Sequence, residues 1–168
     1  VLTENIIVKM GAQILKTKNL VIFIVIVVLI AVPLAFYFNG ILSENKENSI
    51  KQLVTEAVAL IEEKGESAFP DFREQGSKWL EGDDYVFVWQ TDGIRRVYPP
   101  DVTGEGQNMT LLTDFNGKAI GQMFIDIALS NDREGWIEYD WPKPNETEPS
   151  NKKTFIKLAS YADQKYLV

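Results

Sequence analysis

The sequence predicts an α+β protein with an N-terminal transmembrane helix, a long juxtamembrane helix and an antiparallel sheet with flanking helices. Three observations predict this fold class. Residues 20–38 form an unbroken apolar run, and apolar residues recur at helical spacing from Ile50 onward. The second half of the chain carries short strand-forming runs separated by turn residues, and one Asp-Gly turn favours a hairpin of antiparallel strands.

Residues 20–38 contain no charged or amide side chain. As a helix they would be about 28 Å long, which matches a hydrocarbon core of about 30 Å. Their β-branched composition also suits a strand, but a strand of this length is far outside the usual range, and a helix satisfies its own backbone groups in lipid. A buried core helix and a cleaved signal peptide are the alternatives, although the apolar part of a signal peptide is shorter, about 7–15 residues. We therefore predict a membrane-spanning helix.

Basic residues predict the orientation of this helix. Lys9, Lys16 and Lys18 precede the apolar run against a single acidic residue, and Lys and Arg favour the cytoplasmic side. We therefore predict a single-pass protein of the cell membrane. Its parts would be a cytoplasmic segment of residues 1–19, the membrane helix, a connector of residues 39–49 and an extracellular domain of residues 50–168.

Two Asn-X-Thr triplets begin at Asn108 and Asn145, and both lie in the part predicted to be outside the membrane. Such triplets also arise by chance, so each is weak evidence on its own. Both triplets lie on the side of the membrane that the lysines predict to be extracellular. We therefore predict that Asn108 and Asn145 are glycosylation sites.

The composition narrows the classes of function. Acidic residues outnumber basic ones by 24 to 17, and the resulting net charge of −7 argues against nucleic acid and anionic headgroups as partners. The chain has no His and no Cys, so the usual general base, the thiol nucleophile and most transition-metal ligands are missing. We expect no enzyme and no cofactor or metal. Without disulfides, the outer domain must be held by its hydrophobic core.

Two helices are predicted at the start of the outer domain. Apolar residues from Ile50 to Ile61 lie on one helical face and acidic residues on the other, which predicts a long amphipathic helix. Residues 65–70 interrupt it. A second short helix is predicted over residues 71–80, with Phe72, Trp79 and Leu80 turned inward.

The remaining elements follow from alternation and turn residues. The predicted order is a strand over residues 85–90, a turn at residues 91–93, a strand over residues 94–99, a loop over residues 101–113, a helix over residues 116–131, and strands over residues 136–141, 154–161 and 165–168.

This order resembles extracytoplasmic PAS-like domains, and five segments resemble the single Cache domain family. They are Tyr85-Val-Phe-Val with Asp92-Gly93, Val97-Tyr98-Pro99, Asp114-Phe-Asn-Gly-Lys118, Gly135-Trp-Ile-Glu-Tyr-Asp-Trp-Pro142 and Lys153-Thr-Phe-Ile-Lys157. The loops resemble archaeal, methanogen-type members. Two features depart from the family: Tyr98 replaces the His that commonly precedes the proline, and the last strand stops at Val168 before the usual Gly-rich run. We expect from this that C-terminal residues are missing.

The resemblance implies a small-molecule pocket between the concave face of the sheet and the loops over it, and similar domains bind small carboxylates. The residues that it implies for ligand binding are Phe87, Trp89, Tyr98, Tyr139, Trp141, Lys153 and Phe155. Strand alternation places Arg96 on the face of Tyr98, where it could clamp a carboxylate. Aromatic walls with one cation suit a small organic anion. The alternatives are that the aromatic residues form core and that the arginines lie on a solvated edge.

We therefore expect a membrane-anchored sensor that binds a small organic molecule, a small carboxylate, and signals through its helix to a partner in the membrane. The 19 residues predicted to be cytoplasmic are too few for an output domain, so we expect either a separate signalling partner or a sequence that is part of a longer chain. The alternative is a structural or accessory subunit of a membrane complex or surface assembly that uses the same fold without a ligand. A homodimer is implied by the resemblance alone. A sensor should have a fillable pocket, whereas a structural subunit should have a collapsed pocket and an extensive protein interface.

Overall fold

A computed structural model describes the backbone of residues 2–168 and the side chains of residues 27–168. The chain forms two compact units, Val1–Glu47 and Asn48–Val168. The first element is the long helix α1, Leu2–Lys64.

The first unit contains the apolar part of α1. By length and composition, α1 is the one helix of the described residues that could cross a membrane. Its large apolar side chains from Val27 to Leu42 are exposed, as expected of a surface that faces lipid. The predicted span of residues 20–38 is helical throughout. The side chains of the predicted cytoplasmic segment, residues 1–19, lie outside those described.

The second unit begins with the amphipathic part of α1, as predicted. Val54, Ala57, Val58 and Ile61 are buried at spacings of three and four residues. The helix ends at Lys64 because Gly65 adopts a φ of +61°, which an L-residue with a side chain rarely tolerates. A short 3-10 helix, Gly65–Ala68, follows it.

The prediction of a second helix over residues 71–80 is wrong. Only a 3-10 turn, Asp71–Arg73, forms, because the backbone becomes extended at Glu74 and adopts a φ of +74° at Gly76. Phe72 and Trp79 are nevertheless buried, as predicted, with ring centroids 5.2 Å apart.

Seven strands, one further α-helix and a 3-10 helix, Val102–Gly104, complete the second unit. The strands and the α-helix are β1 (Leu80–Glu81), β2 (Asp84–Tyr85), β3 (Val88–Gln90), β4 (Arg95–Val97), α2 (Ile120–Ala128), β5 (Glu134–Pro142), β6 (Pro149–Tyr161) and β7 (Gln164–Leu167). Strands β1 and β2 form a small hairpin, and the main sheet has the antiparallel order β4-β3-β7-β6-β5. The predicted fold class is therefore confirmed.

Several predicted boundaries differ from the structure. The strand predicted over residues 85–90 is divided between β2 and β3, and helix α2 is shorter than residues 116–131. Gly117, with a φ of +80°, forms a turn with Asp114, whose backbone carbonyl accepts a hydrogen bond of 3.1 Å from Gly117 N. This turn delays the helix to Ile120.

The main sheet separates two hydrophobic clusters. Val88, Phe155 and Tyr166 belong to the cluster on the α1 side, whereas their neighbours Trp89 and Ile156 belong to the cluster on the α2 side. Alternation along the strands therefore sends successive residues to opposite layers. The candidate site lies in the layer next to α2.

Candidate functional site

A pocket of about 280 Å³, which includes space open to solvent, lies between the main sheet and α2, and we call it the aromatic cavity. Five of the eight predicted ligand residues line it, together with five others. The predicted five are Phe87, Trp89, Tyr98, Tyr139 and Trp141, and the others are Tyr85, Arg95, Leu112, Ile120 and Phe124. Helix α2 and the strands of the main sheet thus bring together residues that are far apart in sequence.

Phe124 lies at the centre of the aromatic wall. Its ring centroid is 5.7 Å from that of Phe87, 5.3 Å from that of Trp89 and 5.5 Å from that of Tyr139. All three pairs are tilted or edge-on, the arrangements that aromatic quadrupoles favour. Phe124 lies within the helix predicted over residues 116–131, but the ligand residues predicted from the sequence do not include it.

Arg95 supplies the positive charge of the aromatic cavity. Only 7% of its surface is exposed, and its guanidinium carbon lies 4.2 Å from the ring centroid of Tyr98 and 5.9 Å from that of Trp89. Its Nε finds no hydrogen-bond acceptor among the described residues. Burial lowers the pKa of Arg95, because the surroundings solvate its charge poorly.

A β-bulge explains why Arg95, rather than the predicted Arg96, enters the aromatic cavity. Val88 pairs with Val97, but Trp89 pairs with Arg95, so one extra residue is inserted in β4. Arg96 lies outside the aromatic cavity, and its guanidinium pairs with the Glu66 carboxylate at 2.7 Å. Sequence alternation alone, with no bulge, would have placed Arg96 on the face of Tyr98.

Trp89 carries a second buried donor beside Arg95. Its indole Nε1 also lacks an acceptor among the described residues. The two residues are direct cross-strand partners, and both line the aromatic cavity. Two neighbouring N–H groups, one of them on a cation, are chemically suited to the two oxygens of a carboxylate.

Phenol groups supply the remaining polar atoms. Trp141 Nε1 donates to Tyr98 Oη at 3.3 Å, and the hydroxyls of Tyr139 and Thr154 are hydrogen-bonded at 3.0 Å. Burial raises the pKa of both Tyr85 and Tyr139. These phenols therefore stay neutral and add no negative charge near Arg95.

A carboxylate holds the loop that covers Arg95. Glu105 accepts hydrogen bonds from the backbone N of Tyr98 at 2.8 Å and from Arg73 Nε and Nη2 at 3.0 and 2.7 Å. Burial alone would raise the pKa of Glu105, but these hydrogen bonds outweigh it and hold the pKa below its usual range. Gly104 of this loop packs closely against Arg95, and a Cβ at Gly104 would lie 2.7 Å from Arg95 Nη1.

Lys153 and Phe155 do not line the aromatic cavity. Phe155 belongs to the cluster on the α1 side, and Lys153 Nζ lies 3.8 Å from a Glu138 carboxylate oxygen. Tyr139 pairs with Lys152 across β5 and β6, so even-numbered residues of β6 face the α2 side of the sheet here. Lys152 Nζ lies 3.8 Å from the ring centroid of Tyr85, and burial lowers its pKa to about 8.

The two predicted glycosylation sites lie on exposed loops. Asn108 Nδ2 donates to the carbonyl of Asp92 at 3.3 Å, and Asn108 Oδ1 accepts from Thr110 N at 3.0 Å. Asn145 adopts a φ of +66°. Their use as glycosylation sites stays a prediction.

Solved structures of chemotaxis sensor domains have folds similar to this one. A periplasmic sensor domain of a chemotaxis protein superposes with a TM-score of 0.60 at 23% identity, covering 75% of this chain and 94% of that one. A methyl-accepting chemotaxis protein from Vibrio parahaemolyticus superposes with a TM-score of 0.57 at 18% identity, covering 79% of this chain and 94% of that one. A Cache chemosensory domain, described in terms of carboxylic acid recognition, gives 0.59 at 20% identity, with coverages of 77% and 96%.

The family model of the Cache domain matches residues 28–163. The chain therefore belongs to the Cache domain family.

Proposed function

We propose that this protein is a membrane-anchored receptor that binds a short-chain carboxylate in the aromatic cavity. The observation that carries the proposal is the buried guanidinium of Arg95, whose Nε, like the indole N–H of Trp89, has no acceptor among the described residues. A buried donor without a partner costs about 1–3 kcal/mol. A carboxylate between the two donors would remove this cost and neutralise the buried charge.

The size and lining of the aromatic cavity favour a short acid. Even with the space open to solvent included, its volume is about 280 Å³, below the usual range for ligand sites of about 300–1,000 Å³. Its lining residues include no Asp or Glu, so the ammonium group of an amino acid would meet no anionic partner there. The carboxylic acid recognition named for one structural neighbour supports the same class of ligand.

We propose that the ligand signal leaves the domain through α1, with the N-terminus in the cytoplasm and the binding domain outside the cell. Arg96, next to Arg95 in the bulge, pairs with Glu66, two residues beyond the end of α1. Arg73 Nη2 also donates to the carbonyl of Arg96 at 2.8 Å. A shift of Arg95 towards a ligand would therefore act on contacts beside the end of α1, and a partner in the membrane would receive the signal.

Calorimetric titration of the full chain in detergent tests the proposal. The ligands are acetate, propionate and butyrate, with alanine as the ammonium-bearing analogue of propionate. We expect one of the three acids to bind and alanine to bind more weakly or not at all. Arg95→Gln should weaken acid binding by roughly 10- to 100-fold, because a hydrogen bond to a charged group contributes about 1.5–3 kcal/mol.

Arg96→Gln is the matched control, because it removes the neighbouring guanidinium without touching the aromatic cavity. We expect it to leave the affinity unchanged. Equal affinity for the wild type and Arg95→Gln would refute the assigned site. A folded protein that binds none of the acids would favour the structural-subunit alternative.

A further inference from the structure

A second pocket lies at the C-terminal end of α2. Its volume is about 640 Å³, which includes space open to solvent, and we call it the basic pocket. Its lining residues are Ala128, Leu129, Ser130, Asn131, Arg133, Leu158, Ser160 and Lys165. None of them lines the aromatic cavity, and none is Asp or Glu. The basic pocket is therefore a separate site, with two cations and no acidic residue in its wall.

The backbone brings the two cations of the basic pocket to either side of β6. Leu158 N donates to the carbonyl of Arg133 at 2.9 Å, so Arg133 lies beside β6, just before β5 begins. On the other side of β6, Lys165 of β7 pairs with Ser160. Neighbouring strands are about 4.8 Å apart, which separates the two backbone positions by roughly 10–12 Å. Two long side chains can reach one small ligand across that distance.

Neither cation of the basic pocket has a partner in the protein. Within Asn48–Val168, every Lys and Arg side chain pairs with a carboxylate, a carbonyl or an aromatic ring except those of Lys64, Arg133 and Lys165. Two of these three exceptions line the same pocket. Acidic residues outnumber basic ones in the chain, so carboxylates were not in short supply. The basic pocket thus holds two charges that an anion could neutralise.

Two uncharged donors complete the basic pocket. The side chains of Asn131 and Ser160 form no hydrogen bond within the second unit. Ser130 differs, because its hydroxyl already donates to the carbonyl of Ile127 at 2.7 Å. An amide and a hydroxyl can both donate hydrogen bonds. Asn131 and Ser160 could therefore bind oxygens of a ligand that the two cations leave unpaired.

The electrostatics of the basic pocket favour a ligand with two negative charges. Helix α2 ends there, and the negative end of a helix dipole is equivalent to about half a charge. Two full positive charges exceed this. Asp132, Glu134 and Asp163 are close in sequence to the cations, but none of them lines the basic pocket. A phosphate group, with a charge of about −1.5 to −2 at pH 7, matches two cations better than a carboxylate does.

We propose that the basic pocket binds a small organic phosphate. The guanidinium of Arg133 would hold two phosphate oxygens in the bidentate geometry that arginine favours, and the ammonium of Lys165 would contact the third. The organic part of the ligand would cover Leu129, whose side chain is 52% exposed, and the neighbouring Leu158. This site does not depend on the carboxylate proposed for the aromatic cavity.

An NMR titration of the full chain in detergent with phenyl phosphate tests the proposal. We expect saturable shifts of the amides of Asn131, Ser160 and Lys165, and no shift of the Trp89 amide in the aromatic cavity. Inorganic phosphate should bind more weakly, because it has no organic part to cover the apolar wall. Arg133→Gln and Lys165→Gln should each weaken phenyl phosphate binding roughly fivefold, the effect of losing one exposed charge pair.

Two control variants separate the site from general electrostatic attraction and from the aromatic cavity. Lys64→Gln makes the same change of charge at the other unpartnered cation, outside the basic pocket, and Arg95→Gln alters the aromatic cavity. We expect both to retain the wild-type affinity for phenyl phosphate. An equal loss of affinity in Lys64→Gln and Lys165→Gln would overturn the proposal, as would the absence of saturable shifts at tens of millimolar phenyl phosphate. Equal affinities for phenyl phosphate and inorganic phosphate would overturn the assignment of an organic ligand.

Discussion

Arg95→Met should stabilise the protein in the absence of ligand. In the free domain, Arg95 is a buried cation whose Nε lacks an acceptor among the described residues, and burial lowers its pKa. Methionine retains an unbranched apolar side chain and removes the charge with its donors. The proposed binding site is therefore expected to lower the stability of the free protein, and a bound ligand would restore that stability.

The expected magnitude follows from two opposing effects. Replacing buried charged groups by apolar ones of similar volume is often neutral or stabilises by about 1–4 kcal/mol. The stacking of the Arg95 guanidinium on Tyr98, 4.2 Å from the ring centroid, would be lost at a cost of about 0.5–2 kcal/mol. The free energy of unfolding should therefore rise by a net amount of about 1–2 kcal/mol. In a unit of this size the Tm should rise by roughly 3–10 °C.

Thermal unfolding of the full chain in detergent, without ligand, measures this effect. Arg96→Met is the control, because it removes an exposed ion pair with Glu66 that contributes only about 0–1 kcal/mol. We expect Arg95→Met to unfold at a higher temperature than the wild type and Arg96→Met at the same or a lower one. A lower Tm for Arg95→Met than for Arg96→Met would refute the reasoning that the Arg95 charge is a net cost.

Two further changes test the packing and the electrostatics. Gly121→Ala should lower the free energy of unfolding by more than about 3 kcal/mol, because the new Cβ would overlap the carbonyl oxygen of Met109 and lie 2.7 Å from that of Thr110. Gly117→Ala is the control: its Cβ would meet no atom within 4 Å, but Gly117 has a φ of +80°, so we expect a loss of only about 1–2 kcal/mol. Denaturant unfolding measures both losses. Burial lowers the pKa of Lys152 in the folded protein from 10.5 to about 8. Between these two pH values the unfolded chain binds more protons than the folded one, so the free energy of unfolding should rise with pH by on the order of 1–3 kcal/mol. Lys152→Met should abolish this rise, and an identical pH profile for the variant and the wild type would contradict the pKa assignment.

Much of the fold could be predicted because period and length are local signals. The apolar run of residues 20–38 and the three- and four-residue spacing of Val54, Ala57, Val58 and Ile61 both predict helices, and α1 contains them all. The short helix predicted over residues 71–80 failed for a local reason as well. Gly76 adopts a φ of +74°, and apolar spacing alone does not reveal where a glycine will leave helical space.

The aromatic part of the candidate site could also be predicted, since Phe87 and Trp89 lie on one strand face, as do Tyr139 and Trp141. The placement of Lys153 and Phe155 could not be predicted. Which face a residue of β6 presents depends on its register with β5, and that register is fixed by the loop between the two strands. Shifting the pairing by one residue exchanges Lys152 and Lys153 between the two faces.

The bulge in β4 is the most consequential feature that the sequence did not reveal. Strict alternation would place Arg96 with Tyr98 and send Arg95 to the opposite face. One inserted residue reverses this assignment: Arg95 enters the aromatic cavity, while Arg96 pairs with Glu66 beyond the end of α1. Adjacent residues of a regular strand also face opposite sides, so the bulge decides which of the two arginines lines the aromatic cavity. The residue that we propose to bind the ligand and the residue that pairs with Glu66 beyond the helix end are therefore consecutive in the sequence.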